Sequence, residues 1–254
     1  MTSIGSDERN LVEIHPLTGA VPPVEYCPVS IGANLIGDRW TLLVVRELMV
    51  GSSGFNDIHR GLPGLNRSVL SDRLRHLEHL GLLERLPIDS PSRRHEYALT
   101  DAGRALYPVI KAIGAWTVDW RFPRPTDRQS DPALLLWRMH QGMDRNAIPG
   151  GGICIEFRFP DTDPSRGWIR ADSKGSGACL GSPDYDVDLI VTATPRVLNE
   201  VWYGHRALPA ALGAGLVEIE GPQFLVGEFP RWFGRSPFAD LVQEKSSGQR
   251  MGER

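Results

Sequence analysis

Residues 55–100 read FNDIHRGLPGLNRSVLSDRLRHLEHLGLLERL (Phe55–Leu86) and then PIDSPSRRHEYALT (Pro87–Thr100). A one-to-two-turn helix over Phe55–Arg60 runs into Gly61-Leu62-Pro63-Gly64, a turn because Gly and Pro interrupt helical backbone. Asn66 caps a longer helix that reaches Leu80 and stops at Gly81, a residue suited to a left-handed C-terminal position. Leu70, Leu74, Leu77 and Leu80 make its buried stripe; Arg67, Ser68, Ser71, Asp72, Arg75, His76 and His79 lie mainly opposite. Leu82–Ile88 and His95–Leu99 read as two strands, with Asp89-Ser90-Pro91-Ser92 as the turn between them. Short helix, turn, arginine-bearing helix and hairpin is the order of a winged helix-turn-helix. DNA binding is therefore the leading expectation.

A recognition helix fits a major groove only if one face packs on the body while the other offers long polar donors. Arg67 and Ser68 stand at the helix start, where base edges are met, and Ser71 and Arg75 follow one and two turns later. The fork of arginine matches O6 and N7 of guanine, a pairing worth about 1–3 kcal/mol of discrimination. Arg73 lies closer to the buried stripe, which favours a phosphate or a partner within the domain. Arg93 and Arg94, beyond the wing turn, are placed to enter a minor groove or clamp phosphate.

Outward from this segment, residues 1–24 read as a flexible polar arm. Ser30–Ile36 and Arg39–Met49 read as two helices, the second capped by Asp38. A long helix is expected from Ala102 to about Trp120, with Leu106, Val109, Ile110, Ile113 and Trp116 on its apolar face. Residues 123–130 form a proline-marked linker. Beyond it the pattern changes to an α+β order: a helix from Pro132, strand-like runs Ile153–Phe159, Trp168–Ala171 and Val187–Ala193, helices Pro195–Tyr203 and Leu208–Leu212, and a strand Leu216–Glu220. Residues 131–240 are read as a second domain and 241–254 as a flexible tail.

At 254 residues with 41% hydrophobic and 23% charged, the chain is that of a soluble globular protein. From Glu25 to Arg124 there are 13 Lys+Arg against 11 Asp+Glu; from Pro125 onward there are 14 against 17. The basic excess is small, so an electrostatic footprint must come from clustering, and Arg67, Arg73, Arg75, Arg93 and Arg94 supply it. No apolar run approaches a membrane span and the acidic N-terminus does not read as a secretory signal. Three cysteines without metal-ligand spacing argue for a reducing, cytoplasmic setting. His59, His76, His79 and His95 form no metal motif, Gly150-Gly151-Gly152 is no phosphate loop, and no nucleophile or paired-carboxylate set stands out. Neither enzyme activity nor a cofactor is expected.

Cys27-Pro28-Val29, Ile36-Gly37-Asp38-Arg39-Trp40, Leu62-Pro63-Gly64, Leu74-Arg75-His76-Leu77-Glu78 and Tyr97-Ala98-Leu99-Thr100 together resemble the HxlR-type winged-helix regulators of bacteria. The resemblance runs from about Tyr26 to Trp120 and implies homodimers that place two winged domains, each within residues 25–122, across an operator in double-stranded DNA. In some such regulators a cysteine matched by Cys27 senses oxidants, and the dipole at a helix N-terminus favours a reactive thiolate. The other reading is a small hydrophobe in a dimer interface.

Val187–Pro195, Gly204-His205-Arg206 and Ala207–Gly221 resemble the sterol-carrier-protein-2-like (SCP2) fold, which implies a tunnel for apolar molecules. Leu189, Val191, Leu198 and Trp202 are the candidate lining. The whole reads as an α+β protein, a winged helix-turn-helix followed by an SCP2-like domain: a dimeric DNA-binding regulator modulated by a hydrophobic small-molecule effector. The rival reading is an apolar-ligand or lipid-binding protein whose winged domain serves as a dimerisation or protein-interaction scaffold.

Overall fold

A computed structural model describes residues 26–90, 93–160, 162–181 and 186–252. The expected N-terminal arm lies outside these residues. Helices α1 (Pro28–Ile36), α2 (Arg39–Met49), α3 (Phe55–Arg60) and α4 (Arg67–His79) precede the antiparallel pair β1 (Leu83–Ser90) and β2 (Arg93–Leu99). One apolar cluster holds them together. Val44 and Val45 of α2, Ile58 of α3, Leu70, Leu74 and Leu77 of α4, and Leu83 and Leu99 of the hairpin meet there with Leu62 and Leu65 of the turn.

The helix ends follow from local chemistry. Asp38 caps α2 by accepting from the backbone N–H of Trp40 at 2.9 Å and Thr41 at 3.3 Å. Asn66 caps α4 by accepting from Val69 at 2.9 Å. At the other end Gly81 takes φ +64°, its N–H donates to the Glu78 carbonyl and that of Leu82 to the Leu77 carbonyl. This pair of bonds satisfies the last carbonyls of α4 and turns the chain into β1.

The expected single helix from Ala102 divides into α5 (Asp101–Arg104) and α6 (Tyr107–Arg121). Pro108 sits in the first turn of α6, where a missing N–H costs nothing but cannot continue a helix from upstream. Of its expected apolar face, Leu106 and Ile110 pack on the winged core, whereas Val109, Ile113 and Trp116 are exposed.

Residues 127–129 of the linker form a 3₁₀ turn capped by Thr126. Helix α7 (Pro132–Gln141) then leads into strands β3 (Gly152–Arg158), β4 (Arg166–Asp172), β5 (Gly175–Cys179), β6 (Leu189–Ala193) and β7 (Val217–Glu220), with α8 (Pro195–Trp202) and α9 (Leu208–Gly213) between the last two. The sheet order is β5-β4-β3-β6-β7, antiparallel except for the central β3–β6 pair, where Ile155 faces Leu189. Ile155, Phe157, Ile169, Leu189 and Val191 of the strands share a core with Leu136 and Met139 of α7 and Leu198 and Trp202 of α8. Strand β5 gave no hydrophobic signal in GSGAC; its pairing with β4 supplies the strand.

Two helices close the chain, α10 (Gln223–Trp232) and α11 (Ala239–Gly252). The expected tail from 241 therefore falls within a helix that starts at Ala239. Its Val242 is buried and its Lys245 Nζ donates to the Val118 carbonyl of α6 at 3.0 Å, so tertiary contact fixes a segment whose composition is polar.

Candidate nucleic-acid interface

Helix α4 presents its two faces unequally. Leu70, Leu74 and Leu77 are buried, while Arg67, Ser68, Asp72 and Arg75 are exposed and Ser71 is half-buried. Arg67 is not loose on that surface. Its Nη2 donates to Asn56 Oδ1 at 2.6 Å and its guanidinium lies 4.9 Å from the Phe55 ring centroid, so the first helix of the pair steadies the opening side chain of the second. Ser68 Oγ donates to the capping Asn66 Oδ1 at 2.8 Å.

Arg75 pairs with Asp72 one turn earlier, and both are mostly exposed. An exposed pair of this kind holds little free energy and is readily exchanged for a stronger acceptor such as phosphate or a guanine edge. Arg73 stands apart. Its Nε lies 3.5 Å from Oδ1 of Asp38, the residue capping α2, which is the partner within the domain that its position near the leucine stripe favoured.

At the root of the wing, Arg85 donates to Glu78 of α4 at 3.1 Å and its guanidinium lies 5.8 Å from the Tyr97 ring. The hairpin is thereby tied to the end of α4. Arg93 pairs with Ser90 in the backbone register, but the side chains of Arg93 and Arg94 lie outside the described residues.

Sequence reading missed Asn56, Arg60, Arg85 and Glu47. Asn56 and Arg85 carry no signal beyond being polar on short elements. Glu47 does: it interrupts the apolar run of α2, and a carboxylate within a buried stripe requires partners. It is fully buried and bound by Arg46 and by Arg138 of α7 at 2.7 Å. Burial and the neighbouring Arg46 pull the Arg138 guanidinium below its ordinary range, while Glu47 opposes them.

The candidate ligand contacts fare differently. Leu189, Val191, Leu198 and Trp202 all pack in the C-terminal core. As inward positions of a strand and a helix they are the residues a tunnel implied by the SCP2 resemblance would use, but inward positions line a filled core equally well. Cys27 is half-buried at the N-cap position of α1, and its carbonyl accepts from Ile31 N at 2.9 Å. Among the described residues no three His, Cys, Asp or Glu converge to hold a metal, and no helix is long and apolar enough to cross a membrane.

A helix pair with a buried leucine stripe, an exposed basic opening and a hairpin tied to its end is the DNA-binding helix-turn-helix of transcription regulators. The pattern of the HxlR-like helix-turn-helix family matches residues 35–124. The chain is 39% identical over 100 residues to an uncharacterized HTH-type transcriptional regulator, YvaP, of Bacillus subtilis, covering 39% of this chain and 93% of that one. It is 46% identical over 97 residues to an uncharacterized HTH-type transcriptional regulator, MT3179, of Mycobacterium tuberculosis, covering 38% of this chain and 60% of that relative's length. The solved structure of the transcriptional regulator YodB from B. subtilis in its reduced form is 31% identical, covering 39% of this chain and 98% of that one, with a TM-score of 0.34. The chain belongs to the HxlR-like helix-turn-helix family. The residues matched by the family pattern, 35–124, lie in its winged half.

Proposed function

We propose that the protein is a homodimeric, sequence-specific DNA-binding regulator. The observation that carries this reading is the exposed face of α4, where Arg67, Ser68 and Arg75 are open to a duplex while the leucines opposite anchor the helix. Arg67, Ser68, Ser71 and Arg75 meet base edges, Arg73 holds the helix to Asp38, and Arg93 and Arg94 clamp phosphate from the wing. Support for the dimer is apolar surface left uncovered on one chain: Tyr26 and Val29 at the start, and Tyr107, Val109, Ile113, Trp116 and Trp120 along α6. Cys27 stands beside that surface in sequence, and its oxidation would act on the dimer.

An effector would sit outside the C-terminal core. A hollow of about 600 Å³ lies where the end of α6 meets α11, lined by Val118, Trp120, Phe122 and Val242 together with Arg121, Arg124 and Lys245. Its size suits a small molecule, and its mixed lining suits one with an apolar body and an anionic end. Occupancy there would bias the arrangement of the two chains and hence operator affinity.

The test is selection of duplexes from a randomised pool by the full chain. The double variant Arg67→Ala/Arg75→Ala should weaken the selected duplex by about 1–3 kcal/mol for each arginine that meets a guanine, with an unchanged unfolding midpoint. Removing Arg93 and Arg94 should weaken all duplexes alike and flatten the salt dependence. Equal binding by wild type and the Arg67/Arg75 double variant would refute the assignment of α4.

A further inference from the structure

The DNA-reading pair α3–α4 is gripped from outside the family-matched segment. Glu47 of α2 is fully buried. Arg138 of α7 reaches it across the boundary between the two cores, with Nη1 at 2.7 Å from Oε1 and 2.9 Å from Oε2. The second arm of the same guanidinium, Nη2, donates to the carbonyl of Gly61. Gly61 ends α3 and opens the turn to α4, five residues before the Asn66 cap. A Cβ at Gly61 would lie 1.9 Å from Glu47 Oε2, so a larger residue there would displace the carboxylate that Arg138 holds.

Two further contacts follow the same seam. Gln141 Nε2 donates to Ser52 Oγ at 3.0 Å, and Arg60 at the end of α3 sets its guanidinium 4.8 Å from the Trp137 ring. Every one of these contacts joins α7 to the helix-turn-helix or its immediate flank. A buried ion pair is a weak source of stability because desolvation offsets its attraction, but a forked one fixes geometry. Arg46 already pairs with Glu47 at 2.6 Å, so Arg138 is not needed merely to neutralise that carboxylate.

Resting on the DNA-binding reading above, we infer that Arg138 is a positioning residue for the DNA reader. It holds the α3–α4 turn from the C-terminal unit, and so gives that unit a direct mechanical hold on recognition. The hold extends to Arg67, whose partner Asn56 belongs to the tethered helix α3.

The experiment compares wild type with Arg138→Lys and Arg138→Gln in the full chain. Lysine keeps a cation beside Glu47, but a single ammonium lacks the planar fork that serves both the carboxylate and the Gly61 carbonyl. The Lys variant should unfold near the wild-type midpoint. Its affinity for a duplex selected by wild type should fall about tenfold, within the range by which residues without ligand contact alter coupling, while its affinity for a mixed-sequence duplex stays unchanged. Amide exchange over residues 55–66 should quicken and that over β3 and β4 should not. The Gln variant should show the same pattern, more strongly.

Native affinity together with native exchange in Arg138→Lys would overturn the inference. So would an equal loss on both duplexes that tracks a lowered unfolding midpoint, the mark of a purely structural role. A wild-type chain that selects no duplex would refute the functional reading itself, and exchange over 55–66 would then decide the tether alone.

Discussion

Helix α4 of the winged unit and helix α8 of the C-terminal unit were both read from hydrophobic spacing, yet they do opposite things. On α4 only Leu70, Leu74 and Leu77 are buried, and the remaining surface is half-buried or open. On α8 burial extends almost all round: Pro195, Val197, Leu198, Asn199, Glu200, Val201 and Trp202 are all inside. Even the carboxylate of Glu200 is held internally, bound by Arg206 at 2.7 Å and Arg124 at 3.6 Å. A helix with one buried stripe keeps a face for a partner, whereas one buried on every side is core. That is why residues chosen on α4 are available to a duplex and those chosen on α8 and β6 are spent on packing.

The contrast can be broken most decisively at Trp202. Its ring fills the space beside Gly142 and it is 5% exposed. Trp202→Ala should therefore destabilise the chain by about 3–5 kcal/mol, as large-to-small changes in a packed core do. Chemical denaturation measures this; a change below about 1 kcal/mol would mean that the region is a roomy tunnel after all.

A smaller effect separates the histidines of the two units. His79 on α4 is exposed, but His140 on α7 is buried, and desolvation above all lowers its pKa to about 4. The unfolded imidazole takes up a proton below about pH 6.5, whereas the folded one resists until about pH 4. Between those values the unfolded chain binds more protons, so stability falls as the pH drops from about 6.5 towards 4 and is fully present above that window. His140→Gln should flatten this dependence by up to one proton, about 1.4 kcal/mol per pH unit. Denaturation midpoints across that range check it, and an unchanged slope would place the charged ring in solvent.

The smallest expected change concerns the cap of α4. Asn66 Oδ1 satisfies Val69 N and accepts from Ser68, so Asn66→Ala should cost about 1 kcal/mol. The same variant frays the opening turn that presents Arg67, and should lower affinity for a selected duplex further than that for a mixed-sequence one. Equal losses on both would show that α4 presents no sequence-reading face.

The winged half was legible because its signals are local. Asn66, the leucine spacing and Gly81 set the ends and faces of α4 through bonds spanning a few residues, and the observed helix, Arg67–His79, follows them. The hairpin was legible for the same reason. In the C-terminal half the strands β3, β4, β6 and β7 were visible as apolar runs, but β5 was not, because GSGAC becomes a strand only by pairing with β4. The segment beyond 240 carries little local signal, because the burial of Val242 and the bond from Lys245 to Val118 arise only once α6 is beside it.

The candidate site divides along the same line. That α4 turns arginines outward is a matter of spacing, and the sequence alone determined it. Which arginines are engaged was decided only in three dimensions: Arg73 by Asp38, Arg67 by Asn56, and Arg138 by a carboxylate and a carbonyl far from it along the chain. The physical reason is range. Caps, turns and helical faces arise between neighbours in the chain, whereas a buried charge finds its partner only after the two cores have closed around it.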